Sequence, residues 1–210
     1  LLPEEWHNNS WVAEKAIEFL RRRDPTRPFF LNASFHRPHP PIDPPVLFYE
    51  LYRNNIIPPP PVGDWANVHD VPITSLDAWQ GRLEMGVLEQ TRRGYYAQIA
   101  HIDCQIGRIQ RAMEQMNIGP TVFLFTSDHG EMLGDHHLFR KTYAYEGSAK
   151  VPFILSLPEA PASPRTDLPV ILEDVYATLL DVAGVPIPRA IEGRSLLPIY
   201  RGEPVKGWRS

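Results

Sequence analysis

An α/β fold, with a mostly parallel sheet flanked by helices and a site at the strand ends, is predicted by three observations. The apolar run Val122 to Phe125, opened by Gly119 and Pro120, stops abruptly in Ser127, Asp128, His129 and Gly130. A second apolar run, FFLNAS, opened by Pro28, likewise runs into His36 and His39. Between and after these runs lie segments whose apolar residues recur at helical spacing. Short β-branched and aromatic runs bounded by turn residues fit strands buried on both faces. In open α/β sheets, ligand-binding groups collect just beyond the carboxyl ends of such strands.

The elements follow in order. Ser10 to Arg23 places Trp11, Val12, Ala16, Ile17, Phe19 and Leu20 on one helical pattern, with Ser10 as candidate N-cap and Pro25 as a stop. The FFLNAS strand leads into a Pro-dense excursion over 37–87, which includes the run Pro58 to Pro61 and has no sustained periodicity. Leu88 to Met116 is the longest periodic segment, carrying Tyr95, Ile99, Ile102, Ile106, Ile109 and Met113, and reads as a core-facing helix. After the strand at Val122, a second strand is expected over Val151 to Leu157, opened by Pro152. The polar link EAPASPRTD then enters VILEDVYATLLDVAG, where Leu172, Val175, Leu179, Leu180 and Val182 fit an amphipathic helix ended by Gly184.

Composition excludes several function classes. The 210 residues are 43% hydrophobic and 22% charged, as in ordinary globular chains, and suffice for one substantial core. A net charge of -4 gives no reason to expect a nucleic acid or an anionic membrane as partner. No apolar stretch approaches the roughly 20 residues that span a bilayer. The single Cys104 rules out an internal disulfide. The start, LLPEEWHNNSWVAEKA, has neither the basic region nor the apolar core of a signal peptide, and localisation cannot be read from it.

The chemistry concentrates after Val122 to Phe125. Asp128 and His129 offer an oxygen and a nitrogen to a cation. The carboxylate suits Ca²⁺, Mg²⁺ or Mn²⁺, and the imidazole moves the preference toward Mn²⁺ or Zn²⁺. Gly130 and Gly134 let the backbone turn, and Asp135, His136, His137, Arg140 and Lys141 follow in one mostly cationic loop. A metal with Lys141 and a histidine is equipment for stabilising a multiply charged oxyanion such as a sulfate or phosphate ester. Taken singly, each group also fits an Asx turn or a solvated surface charge, and a histidine between prolines fits a plain loop.

The string SDHGEMLGDH, then Lys141, then VPFI, resembles the second signature block of the sulfatase family, within the alkaline phosphatase superfamily. The resemblance implies that Asp128 and His129 are divalent-metal ligands, Ca²⁺ first with Mn²⁺ or Mg²⁺ as alternatives, and that Lys141 contacts the ester's anionic group. His136 stands at the family's Gly-acid-His position, in a site-proximal or loop-supporting role. A P-H-x-P-like element, here Pro38, His39, Pro40 and Pro41, implies that His39, in preference to His36, contacts the scissile ester and assists the leaving oxygen. Many sulfatases have Asn at the position of His129. The His form is shared with the phosphonate monoester hydrolases. Sulfate ester hydrolysis is therefore the first expectation, and phosphonate monoester or phosphodiester hydrolysis the second. Trp65, Trp79, Tyr49 and Tyr52 are candidates for contacting an aryl or sugar group, or equally for packing under the long loop.

The resemblance covers nearly the whole chain but only the second half of a sulfatase catalytic domain. Residues 1–157 correspond to that half, with 37–87 as its Pro-rich insert, and 158–210 to the C-terminal helix and turn region. CQIGR, from Cys104 to Arg108, imitates the Cys-x-Pro-x-Arg motif that yields the family's formylglycine nucleophile, but Ile106 replaces the proline, and Asp103, Gly107 and Arg108 match a later family helix. Asp174 onward resembles the family's D-x-x-P-T-L-L-D-x-A-G pattern with Ala177 for proline. Gly193, Arg194, Ser195 and Leu196 match a G-x-S-L turn read as structural. The formylglycine motif, an aspartate pair and a Lys-x-His element have no match here. The expectation is part of a site that turns over nothing alone, with a small-molecule sulfate or phosphonate ester as substrate and either an N-terminal half or a second copy as partner. A non-catalytic remnant or binding module is the alternative from another class.

Overall fold

Helix α1 (Asn8–Arg22) packs Ala13, Ala16, Ile17 and Leu20 against Ile109, Ala112 and Met113 of a 31-residue helix, and these residues form the core of the first of two units. The computed structural model describes residues 3–73, 75, 77–159, 161 and 165–209. One unit comprises residues 1–119 and 129–150, the other residues 120–128 and 151–210. Ala160 and Ala162 to Pro164, in the polar link, lie outside the described residues.

In the first unit, α1 ends at Arg22, short of Pro25. Its cap position is His7, not Ser10. A 3-10 turn at Glu4–Trp6 brings the chain into the helix, and the Ser10 hydroxyl, inside the first turn, donates to the Glu4 carbonyl at 2.6 Å. Trp11 and Phe19 are exposed on the outer side. A short helix, α2 (Val46–Glu50), interrupts the Pro-dense excursion and buries Phe48. The long helix, α3 (Met85–Gln115), starts three residues before the apolar periodicity does. Glu84 caps it, its carboxylate accepting from the amides of Gly86 and Val87 at 3.0 Å each. A one-turn helix, α4 (Glu146–Ala149), completes the unit. Among the described residues, no helix is long and apolar enough to cross a membrane.

FFLNAS is not a paired strand. Phe29, Leu31, Ala33 and Phe35 pack on the α1–α3 core, while Phe30 keeps 73% of its surface exposed. The alternation has the period of a strand, but a ladder needs a partner, and no described segment hydrogen-bonds alongside this one.

The core-facing side of α3 is more polar than apolar spacing indicates. Arg92, Gln98, His101 and Gln105 are buried with Leu88, Ala97, Ile102 and Ile109, whereas Ile99 is exposed. His101 has no exposed surface. Its Nε2 lies 3.4 Å from Ser10 Oγ and 3.6 Å from a Glu4 carboxylate oxygen, and the rings of His7 and Phe48 pack against it with centroids at 5.3 and 4.8 Å. Burial first, then the nearby His7 and Arg108, push its pKa down to about 4. Between that value and the ordinary one near 6.5 the unfolded chain binds the extra proton. Stability from this group is therefore full above about pH 6.5 and is lost as pH falls toward 4, by about 3 kcal/mol. Chemical denaturation at pH 7 and pH 4.5 should show this loss in the native chain and a smaller one in His101→Phe.

In the second unit, β1 (Phe123–Thr126) pairs with β2 (Phe153–Ser156), with Phe123 opposite Ser156 and Thr126 opposite Phe153. The pair is antiparallel, against the expectation of a mostly parallel sheet. A parallel pair needs a crossover, usually a full helix, whereas the 26 residues between these strands hold only loop, one 3-10 turn and the single turn of α4. Nor are the strands buried on both faces. Phe123, Phe125 and Ile154 are exposed, in alternation along the ladder.

Helix α5 (Glu173–Val182) buries Asp174, Ala177 and Thr178 and stops at Gly184, whose φ of +67° gives the left-handed turn expected there. The residues from Gly193 to Leu196 run across it. The Arg194 amide donates to Asp174, the Leu196 amide to Thr178 Oγ1 at 3.0 Å, and the Ser195 hydroxyl to Asp181. A last turn, α6 (Leu197–Tyr200), follows, and its Tyr200 hydroxyl accepts from the Leu157 amide and donates to the Glu159 carbonyl.

Candidate functional site

His39 and Lys141, 102 residues apart in the chain, meet in the first unit with Nε2 and Nζ 2.7 Å apart. Each is half-buried. His39 Nδ1 lies 2.9 Å from the Pro40 carbonyl, which can only accept, so Nδ1 carries the ring proton and Nε2 accepts from the Lys141 ammonium. The turn that presents His39 is locked from both sides. Arg37 makes a two-point ion pair with Asp43 at 2.8 and 2.9 Å, and also donates to the His39 carbonyl. From α3, Gln98 reaches Asp43 and the Pro41 carbonyl, each at 3.1 Å. His36 is exposed, packs its ring against His39 at 4.9 Å and lies 3.1 Å from the Arg37 guanidinium through Nδ1.

The loop before Lys141 is bent by residues that are not glycine. Leu133, His136, His137 and Arg140 all have positive φ, along with Gly134 at +95°. Such conformations cost of order 1 kcal/mol or more each and persist only where the surroundings impose them. Here the Glu131 carboxylate accepts from the amides of Leu133 and Arg140, and the Met132 amide donates to the Arg140 carbonyl. Buried Arg92 of α3 donates to the Leu133 carbonyl at 2.9 Å and lies 3.6 Å from Asp135. Burial raises the pKa of Asp135 above the ordinary carboxylate value, against the opposing charges of Arg92 and His136. Burial and the Glu131 charge push Tyr95 up to about 12. Gly130 is needed for space, since a Cβ there would stand 2.2 Å from the Gly147 carbonyl oxygen.

The Pro-dense excursion folds onto this loop. The His136 amide donates to the Pro61 carbonyl, and its ring Nδ1 accepts from the Gly63 amide at 3.1 Å. The Phe139 amide donates to the Trp79 carbonyl, Arg140 pairs with Asp77 at 2.6 Å, and its guanidinium lies 5.1 Å over the Trp79 ring. Trp65 touches both His136 and Tyr145. Of the other aromatic candidates, Tyr52 packs 6.3 Å from Tyr96 and holds Arg93 through its carbonyl, as a packing residue does.

Asp128 and His129 are consecutive in the chain and assigned to different units. Ser127 Oγ donates to an Asp128 carboxylate oxygen at 3.4 Å. His129 Nδ1 lies 2.8 Å from the Gly130 carbonyl, so Nδ1 carries the proton and Nε2 is the lone-pair nitrogen, the arrangement of a metal-ligating histidine. The donor types fit a divalent cation, but the number does not complete a site. Among the described residues no group of three or more His, Cys, Asp or Glu is placed to hold one. Cys104 lies half-buried in the middle of α3.

Comparison with known proteins decides the family. The pattern of the Sulfatase family matches residues 7–185. The chain belongs to the sulfatase family. As a sulfatase it is 43% identical over 200 residues to an arylsulfatase of Clostridium perfringens, covering 92% of this chain and 42% of that protein. It is 31% identical to arylsulfatase K of Rattus norvegicus, covering 95% of this chain and 38% of the relative. Among solved structures, the phosphonate monoester hydrolase of Agrobacterium radiobacter superposes with a TM-score of 0.83 at 27% identity, over 99% of this chain and 45% of the other. These neighbours have the α/β fold of the alkaline phosphatase superfamily. This sulfatase chain thus spans about two fifths of the length of the relatives it matches.

Two parts of the site were not foreseen. The Arg37–Asp43 lock had a signal in the sequence, an arginine and an aspartate on either side of a proline-histidine turn. The stacking of Trp65 on Tyr145 had none, because the two lie 80 positions apart in stretches without periodicity.

Proposed function

We propose that this sulfatase-family chain supplies the ester-binding half of a sulfuric ester hydrolase site, with His39 and Lys141 acting on the ester and Asp128 and His129 as two ligands of a divalent cation. The observation that carries the reading is the 2.7 Å contact of Lys141 with His39, which joins a cation and a proton carrier across 102 residues. Lys141 Nζ has two further N–H donors for the non-bridging oxygens of a tetrahedral anion. With Nδ1 still held on the Pro40 carbonyl, protonation of His39 Nε2 would replace the bond it accepts from Lys141 by one it donates to the leaving oxygen. His136 holds the loop that carries Lys141 against the excursion.

A bound cation, Ca²⁺ first with Mn²⁺ or Mg²⁺ as alternatives, would supply charge neutralisation at the ester. A formylglycine nucleophile is expected of the family, but no residue of this chain is assigned to it. Phosphonate monoester hydrolysis is the second reading, favoured by His129 and by the likeness to the Agrobacterium enzyme.

Hydrolysis of 4-nitrophenyl sulfate and of the 4-nitrophenyl monoester of phenylphosphonate, with Ca²⁺ or Mn²⁺, tests this. The 210-residue chain alone should turn over neither. Any longer form of the chain that is active should prefer the sulfate and lose activity in Asp128→Ala. A phosphonate preference selects the second reading. Turnover by the chain alone that survives Asp128→Ala would sink the assignment of the metal pair.

A further inference from the structure

Three successive carbonyls in the turn that carries His39 are each claimed by a donor. Arg37 donates to the His39 carbonyl at 3.3 Å, the His39 ring to the Pro40 carbonyl at 2.9 Å, and Gln98 to the Pro41 carbonyl at 3.1 Å. Asp43 closes the set, since its carboxylate accepts from Arg37 at 2.8 and 2.9 Å and from Gln98 at 3.1 Å. The middle bond is exposed, so water competes for both of its partners. The Pro40 carbonyl keeps its aim because the peptide units on either side are held, the one before it by Arg37 and the one after it by Gln98. As a packing residue Gln98 is ill-suited to its place. It is 1% exposed, and its amide nitrogen must lie between the Pro41 carbonyl and the Asp43 carboxylate, because both can only accept. The amide oxygen is then left buried and, among the described residues, meets no donor. Such an acceptor costs stability that an apolar side chain of similar size does not. Pro41 is exposed and Asp43 partly so, hence water and Arg37 can satisfy both without Gln98. What the amide gives in return is confined to the turn that carries His39.

We infer that Gln98 and Asp43 are positioning residues for His39: they hold the Pro40 carbonyl where it takes the ring proton on Nδ1, and so leave the Nε2 lone pair for Lys141. The inference rests on the reading of His39 and Lys141 as the pair that acts on the ester. An unrestrained neutral histidine favours the other tautomer, with its proton on Nε2. In that form Nε2–H would face the Lys141 ammonium as donor against donor, and the 2.7 Å contact would open. The clamp from α3 therefore decides whether the two groups meet.

Long-range proton–nitrogen NMR on the ¹⁵N-labelled chain at about pH 8, above the ordinary imidazole range, reads the tautomer directly. The His39 signals are assigned by their loss in His39→Asn. The native ring should carry its proton on Nδ1. In Gln98→Leu, and separately in the milder Asp43→Asn, the ratio of Nδ1–H to Nε2–H should fall about tenfold, the change that the free energy of one hydrogen bond gives. Phe48→Leu, which loosens α2 without removing a donor or acceptor from the turn, should leave the ratio as it is. A ratio unchanged in whichever of the two turn variants folds, or one that falls equally in Phe48→Leu, overturns the positioning role and leaves the pairing of His39 with Lys141 standing. A native ring with its proton on Nε2 overturns the reading of Lys141 as donor to His39, and the positioning role with it.

Discussion

Lys141→Ala should lower kcat/KM for an aryl sulfate by about 10²–10³ in any longer form of the chain that turns the ester over, the loss that follows when a preorganised donor to a developing oxyanion is removed. The ammonium is placed by its surroundings and not by its own flexibility. The loop before it is forced through four non-glycine residues at positive φ, with Glu131 and Arg92 satisfying the backbone groups that this conformation turns inward. The variant removes the cation and also deprives His39 Nε2 of its 2.7 Å partner. For that reason Lys141→Ala and His39→Ala combined should cost less than the product of the two separate losses, as expected of groups that act as a unit. Lys141→Arg should not restore the rate, because a planar fork cannot replace a point donor in a turn of this size. Steady-state kinetics on the three variants decides it. A loss below tenfold in Lys141→Ala, with an unchanged melting temperature, would remove Lys141 from the site.

The sequence made the site legible where chemistry is local and left it illegible where chemistry is assembled. Asp128 and His129 stood out because an apolar run ended in them, and the tautomer of His129 then follows from one neighbouring carbonyl. His39 was distinguished from His36 by a motif alone. In the structure His39 meets Lys141, whereas His36 is exposed. The helices were readable from period, but apolar period counts only apolar residues. It therefore overlooked the buried Gln98, His101 and Gln105 on the same side of α3, and it began the helix at Leu88 because Glu84 is an uncommon cap. Strands were the weakest point. The apolar runs at Phe29 and Phe123 look alike, yet only the second has a ladder partner, and no property of a single run encodes the direction of its neighbour.

The second unit rests on one buried charge, and Asp174→Ala should cost it about 3–5 kcal/mol. Asp174 has no exposed surface and faces Arg209, which is largely buried, through two bonds of 2.6 and 2.7 Å. The same carboxylate accepts from the amides of Ile171 at 3.0 Å and Arg194 at 2.7 Å, so it ties the start of α5, the turn from Gly193 to Leu196 and the C-terminal segment to one point. Burial alone would raise its pKa. The hydrogen bonds from Arg209, Arg194 and Ile171 and the guanidinium charge outweigh that and hold it below the ordinary carboxylate value. The folded state therefore favours the ionised form. The stabilisation is present above about pH 4, the unfolded value, and is lost as pH falls through the lower folded value. Truncation to alanine leaves a guanidinium without its partner and two amides without an acceptor, the costly way to break a buried pair. Asp174→Leu with Arg209→Met removes both charges and should recover much of the loss, though not the two amide bonds. Urea denaturation, with amide exchange across α5 as the local readout, separates the cases. If Asp174→Ala unfolds within about 1 kcal/mol of the native chain, the carboxylate is not what holds these three segments together.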